Sequence, residues 1–109
     1  MNSAPQITFR DIPPSAAIDG HVRRRAEKLD TLGERPVACH VAIEAPHRHK
    51  RHGRHYRVRL DLEVPGRVIV VDRCPDAGAQ GEDVYVAIDR AFALAMRRLR
   101  DSKRRRDEH

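Results

Sequence analysis

The chain has 109 residues, with 22 Lys and Arg against 16 Asp and Glu, a formal net charge of +6 before any of its seven histidines protonates. That length accommodates one domain with a small core, and with only Phe9, Tyr56, Tyr85 and Phe92 as aromatics the core must be built from Val, Ile, Leu and Ala. There is no apolar run long enough for a membrane span, no secretory signal in Met1-Asn2-Ser3-Ala4-Pro5, and too few cysteines (Cys39, Cys74) for a disulfide scaffold, so a cytoplasmic, basic, soluble protein is expected.

Gln6 to Ile12 alternates, with Ile7 and Phe9 on one side and Thr8 and Arg10 on the other, and reads as a short strand stopped by Pro13-Pro14. Ser15 is placed to cap a helix whose apolar stripe is Ile18, Val22, Ala26, Leu29 and Leu32, and Gly33 is expected to close it. Val37 to Ala45 alternates again, with Val37, Cys39, Val41 and Ile43 inward. Tyr56, Val58, Leu60, Leu62 and Val64 alternate with charged residues and predict a third strand, followed by a Pro65-Gly66 turn. Val68 to Val71 is apolar throughout, which predicts a strand covered on both faces or in contact with a partner, and makes it the candidate surface for a homodimer. Glu82 and Asp83 place negative charge at the start of a second helix with the stripe Val84, Ile88, Ala91, Ala95 and Leu99, flanked by Tyr85 and Phe92.

The expected fold is therefore α+β, in the order β-α-β-β-β-α, with two helices packed on one face of a four-stranded mixed sheet. The first two strands should run parallel across a right-handed crossover and the last three should form an antiparallel meander. Residues 1–100 form the single domain, and residues 101–109 are expected as a charged, disordered tail.

The positive charge is unevenly placed. Residues 45–60 hold Arg48, Lys50, Arg51, Arg54, Arg57 and Arg59 and no acid, and the remainder of the chain is balanced. A polyanion partner accounts for such a segment, and solubility alone is the plainer alternative. The same segment carries His47, His49, His52 and His55, a weak candidate set for zinc or nickel, because neutral imidazoles ligate both. The interleaved cations oppose a metal, and no Cys or carboxylate lies among them, so no metal or other cofactor is assigned. On helical wheels Arg24 and Lys28 lie opposite the first buried stripe, with Arg25 at its border. On the second helix Arg90, Arg97 and Arg104 recur every seven residues, with Arg98 and Arg100 beside them. Two such basic ridges suit a sugar–phosphate backbone recognised by shape, and the candidate RNA-binding set is Arg24, Arg25, Lys28, Arg90, Arg97 and Arg98 with Arg48, Lys50, Arg51 and Arg54. The sheet offers no aromatic stacking platform, and no spacing supports sequence readout in DNA. Catalytic fingerprints are missing too: there is no nucleophile elbow, phosphate loop or dinucleotide motif. Cys39 faces the predicted core and Cys74 has no adjacent base, so no enzyme and no small-molecule substrate is expected.

Three stretches resemble the bacterial hibernation-promoting factor family, which includes ribosome-associated inhibitor A and was once labelled sigma-54 modulation protein. They are Ile7-Thr8-Phe9-Arg10-Asp11-Ile12-Pro13-Pro14-Ser15, Glu44-Ala45-Pro46-His47-Arg48-His49, and Glu82-Asp83-Val84-Tyr85-Val86-Ala87-Ile88-Asp89. The resemblance covers nearly the whole chain and is most specific at the opening of the second helix. It implies a short-form member with a domain shaped like double-stranded-RNA-binding domains. It further implies a partner, the small ribosomal subunit and its RNA, bound at the decoding channel so that messenger RNA and A- and P-site transfer RNA are excluded in stress or stationary phase. Matching of motifs carries Arg25, Lys28 and Arg97 over as RNA-facing positions, whereas Leu94 stands where many relatives have a basic residue. A histidine-loop metal-binding protein and a general structured-RNA-binding module are the alternatives.

Overall fold

The computed structural model describes residues 4–31, 36–45, 56–73 and 83–107, those beyond Asp101 by their backbone alone. The elements are β1 (Gln6–Arg10), α1 (Ala16–Leu29), β2 (Ala38–Glu44), β3 (Arg57–Val64), β4 (Arg67–Arg73) and α2 (Val84–Asp107). They form one sheet in the order β1-β2-β3-β4. β1 runs parallel to β2, with Ile7 opposite Val41 and Phe9 opposite Ile43. The other neighbours are antiparallel, with Val41 opposite Leu60 and Leu60 opposite Val71. The expected fold class and element order are those observed.

Alternation explains which face is covered. Cys39, Val41 and Ile43 of β2, Val58, Leu60, Leu62 and Val64 of β3, and Ile69 and Val71 of β4 are buried on one side of the sheet. There they meet Val22, Ala26 and Leu29 of α1 and Ala87, Ile88, Ala91, Phe92, Ala95 and Leu99 of α2 in a single core. Phe92 is the largest of its fully buried side chains, and the alanines around it let α2 lie close to the strands. Ser15 caps α1 as its sequence position predicts, its hydroxyl accepting from the Ile18 N–H at 3.2 Å. Asp83 does the same for α2, accepting from the Tyr85 N–H at 2.7 Å; Glu82 lies outside the described residues. Gly66, at φ 85°, follows Pro65 in the two-residue turn between β3 and β4, a backbone region closed to most side chains.

Four local expectations are corrected. α1 ends at Leu29 with Asp30 as its C-cap, so Gly33 does not close it; Leu32 and Gly33 themselves lie outside the described residues. Val37 precedes the first paired residue of β2 and is 39% exposed, because alternation ceases to bury side chains where the ladder stops. β4 is an edge strand covered on one face only, which corrects the first of the two expectations for it, coverage of both faces, and leaves contact with a partner untouched: Ile69 and Val71 are buried, whereas Val68 is 54% and Val70 39% exposed. α2 continues to Asp107, so the backbone of 101–107, expected as a disordered tail, is helical. Lys and Arg are good helix formers, and cations near a helix C-terminus oppose its negative dipole end.

Candidate nucleic-acid interface

With the sheet's apolar side sealed by α1 and α2, the outer surface of the two helices and the open face of the sheet remain as large surfaces. The charges divide unequally between them. α1 carries four basic and two acidic residues and α2 eight and three, whereas the four strands together carry five and four.

The helices are joined by a polar seam. His21 and Arg25 are one turn apart on α1, and both reach Asp89 of α2. The Asp89 Oδ1 accepts from His21 Nε2 at 2.6 Å and from Arg25 Nε at 2.7 Å. Tyr85, one turn before Asp89, meets the His21 ring edge-on, with centroids 5.1 Å apart and planes at 85°. Arg25 is thus a half-buried strut between the helices. Lys28 follows Arg25 by three positions and lies on the same flank, more exposed, with Arg24 at the crest. The far flank of α1 is quieter: Arg23 donates to Asp19 at 2.5 Å, a contact that raises the Arg23 pKa further above its already high value.

On α2, helical rotation of about 100° per residue separates three directions. Asp89 faces α1. Arg90 and Arg97 stand on the outer crest, and Arg100 is turned from there toward α1. Arg98 points the other way, toward the sheet edge, where its guanidinium donates to the Val70 carbonyl of β4. Leu94 is half-buried on that same flank and packs on the core. Of the six helical residues in the candidate set, Arg24, Lys28, Arg90 and Arg97 therefore share the outer surface, and Arg25 and Arg98 are directed to the protein itself.

The open sheet face has cations too, but two of them, Arg57 and Arg59, are matched by acids. Arg57 grips Asp72 with two nitrogens, at 2.9 and 2.7 Å, and lies 3.9 Å from Glu44. Arg59 lies 3.3 Å from Asp61 and 3.9 Å from Asp72. The Arg57 hydrogen bond, with the charges of Arg57 and Arg59 adding to it, holds the Asp72 carboxyl below the ordinary carboxylate range despite partial desolvation. A hollow of about 300 Å³ on this face is lined by Arg10, His40, Glu44, Arg57, Arg59 and Asp61, much of it this ion-pair mesh. His40 there shares a 2.9 Å hydrogen bond with Thr8. Arg57 and Arg59, counted in the sequence as part of an unbalanced basic segment, are in fact neutralised by Glu44 and Asp72 of the neighbouring strands and by Asp61 of their own.

The model of the sigma 54 modulation protein / S30EA ribosomal protein family matches residues 6–107 of the chain. The chain belongs to this family. Two solved structures share the fold of this family member. The crystal structure of the Thermus thermophilus Protein Y N-terminal domain is 23% identical, with a TM-score of 0.66 over 90% of this chain and 94% of that one. A ribosomal subunit interface protein from Coxiella burnetii is 16% identical, with a TM-score of 0.70 over 91% and 96%. No curated protein sequence matches the chain significantly. The family is non-enzymatic, so the chemistry of this S30EA-family chain is that of binding.

Within the family member, Asp83, Tyr85 and Asp89 of the motif that opens α2 have structural tasks: Asp83 caps the helix, and Tyr85 and Asp89 fasten it to α1. Sequence reading missed the seam. The one available signal was an acid, Asp89, at the border of the apolar stripe of an otherwise basic helix, with His21 and Arg25 at the matching border of α1. Arg48, Lys50, Arg51 and Arg54, with His47, His49, His52 and His55, lie outside the described residues, as does Cys74. Among the described residues no group of three or more His, Cys, Asp or Glu is placed to hold a metal, and no helix is long and apolar enough to cross a membrane.

Proposed function

We propose that this chain is a cytoplasmic ribosome-hibernation factor that occupies the decoding channel of the small ribosomal subunit and sterically excludes messenger RNA and A- and P-site transfer RNA. The observation that supports this reading is the one-sided charge of an S30EA-family fold: a basic two-helix surface carrying Arg24, Lys28, Arg90 and Arg97, backed by a sheet on whose open face Arg57 and Arg59 are paired with acids. Such a surface follows a phosphate backbone by shape, needs no bound cofactor and performs no reaction. Inhibition is then occlusion. The subunit is left intact, and release requires only that the electrostatic contacts be broken.

Co-sedimentation with bacterial ribosomes over a salt series tests this. Near-stoichiometric binding that messenger RNA plus initiator transfer RNA displaces is expected, with a slope of log K on log salt between about −3 and −4 for four phosphate contacts. The combined variant Arg24→Glu, Lys28→Glu and Arg97→Glu should stay folded and lose ribosome binding. Binding that is indifferent to the competitor refutes decoding-channel occupancy. Equal affinity for unrelated RNA duplexes would instead identify a general RNA-binding module.

A further inference from the structure

β4 forms one end of the sheet, and among the described residues no strand pairs with its outer edge. Val64 faces Arg67 across the two-residue turn, and the residues flanking such a turn form a hydrogen-bonded pair. Counting on by twos, Ile69 and Val71 also direct their N–H and C=O groups to β3, so those of Val68, Val70 and Asp72 point away from the sheet. The Arg98 contact with the Val70 carbonyl agrees with that assignment. The outer edge therefore combines unpaired-strand geometry with two exposed valine side chains on the open face. Proteins usually blunt such an edge with a charge or a cover.

We propose that the β4 edge is a docking strand for a second copy of this chain, and that Arg98 is the residue that holds it shut. Side-chain complementarity selects the occupant and the register. A two-fold antiparallel β4–β4 ladder keeps core-facing and open-face residues aligned only when paired positions have the same parity. Centred on Val70, it would set Arg67 opposite Arg73 at both ends and Val68 opposite Asp72. Centred on Ile69, it sets Val68 opposite Val70 twice, Arg67 opposite Val71, and Asp72 opposite Gly66. The second register joins four valines into one apolar strip and opposes no like charges, which is the arrangement cross-strand pairing favours. It also requires the Val70 carbonyl to accept the Val68 N–H of the other copy, and that acceptor is the atom Arg98 occupies. Arg98 must leave before the edges can pair.

Sedimentation equilibrium on the full chain over a wide concentration range, at a salt concentration high enough to screen adventitious charge contacts, tests this with four proteins. Removing the guard in Arg98→Ala should raise the dimer association constant about a hundredfold above the wild type, because two charge-assisted hydrogen bonds, one in each copy and each worth about tenfold, no longer have to be broken. Arg98→Gln, which keeps a helix-forming side chain and loses the charge, should shift in the same direction, so that a folding defect in one variant does not decide the matter. Adding Val70→Lys to Arg98→Ala should return the protein to a monomer at every concentration. The proposal is overturned if both Arg98 variants associate no more than the wild type, or if association survives Val70→Lys. An Arg98→Ala protein that stays monomeric but takes up an added extended Val-rich peptide would assign the edge to another partner and overturn self-pairing.

Discussion

Removing Asp89 gives the sharpest test of the interhelical seam. Its carboxylate receives two charge-assisted contacts, from His21 at 2.6 Å and Arg25 at 2.7 Å, with side chains 16% and 34% exposed and Asp89 itself 36% exposed. Hydrogen bonds to charged groups are worth ~1.5–3 kcal/mol when shielded, and screening at this exposure reduces each to about 1 kcal/mol. Asp89→Ala therefore forfeits about 2 kcal/mol and regains about 0.6 kcal/mol from the better helix propensity of Ala. The net loss of about 1.4 kcal/mol corresponds to a fall in Tm of roughly 6–11 °C for a domain of this size. Thermal unfolding followed by circular dichroism at 222 nm reads this directly. A double-mutant cycle with Arg25→Ala should return a coupling of about 1 kcal/mol between the two positions. A coupling below about 0.3 kcal/mol would show that the seam is an incidental surface contact and that Arg25 is not a strut.

Phe92→Ala removes the largest fully buried side chain and should cost about 3–5 kcal/mol in urea-denaturation stability, with the exposed Ala93→Ser on the same helix changing little. Asp72 has a folded pKa below its unfolded value of about 3.9, so the stability it contributes is fully present above that value and is lost as pH falls through the folded pKa. The Tm advantage of the wild type over Asp72→Asn should accordingly be constant above about pH 5 and shrink steadily below about pH 4; a difference that persists undiminished to about pH 2 would contradict the Arg57 pairing. Burial, with smaller contributions from the charges of Asp61 and Asp30, pushes the Cys39 thiol up to about 12. In a Cys74→Ser background, alkylation of folded protein at about pH 8 should run roughly 10³-fold slower than that of a free cysteine and recover on unfolding. A Cys39 that reacts at the free-thiol rate would place it outside the core.

Much of the fold was readable because its signals are local. The strict alternation of Val58, Leu60, Leu62 and Val64, the capping position of Ser15 and the Pro65-Gly66 turn each specify structure within a few residues. The topology followed from element order alone. What could not be read needed knowledge of which elements become neighbours. A charge count along the chain assigned Arg57 and Arg59 to an unbalanced segment, but cross-strand pairing sets them against Asp72 and Arg57 near Glu44, and Arg59 also meets Asp61 two residues on in its own strand. A helical wheel identifies the side away from the core, yet not which flank meets another helix and which meets a sheet edge. Arg25, at the border of its stripe, and Arg98, beside the Arg90–Arg97 line, consequently joined Lys28 and Arg97 in one candidate set, although the structure turns the first pair inward to Asp89 and Val70. The uniform apolarity of Val68 to Val71 is equally consistent with a central strand and with an edge, and only the position of β4 in the sheet decides between them.

The pairing of Arg57 and Arg59 on the open face also governs how the molecule travels before it touches anything. The protein is only 18 Å across in its thinnest direction, about twice the Debye length of ~8 Å at physiological ionic strength. A polyanion approaching from the sheet side therefore senses mainly the local, self-cancelling mesh, whereas one approaching from the helix side senses the excess of cations over acids on α1 and α2. The resulting torque turns the protein helix-side first during diffusion, so a larger share of random collisions is productive and the association rate rises. Replacing Asp72 with Asn would leave every helix contact in place, uncover Arg57 and Arg59 on the sheet face and blur that orientation, so that a smaller share of collisions is productive without any weakening of the final grip.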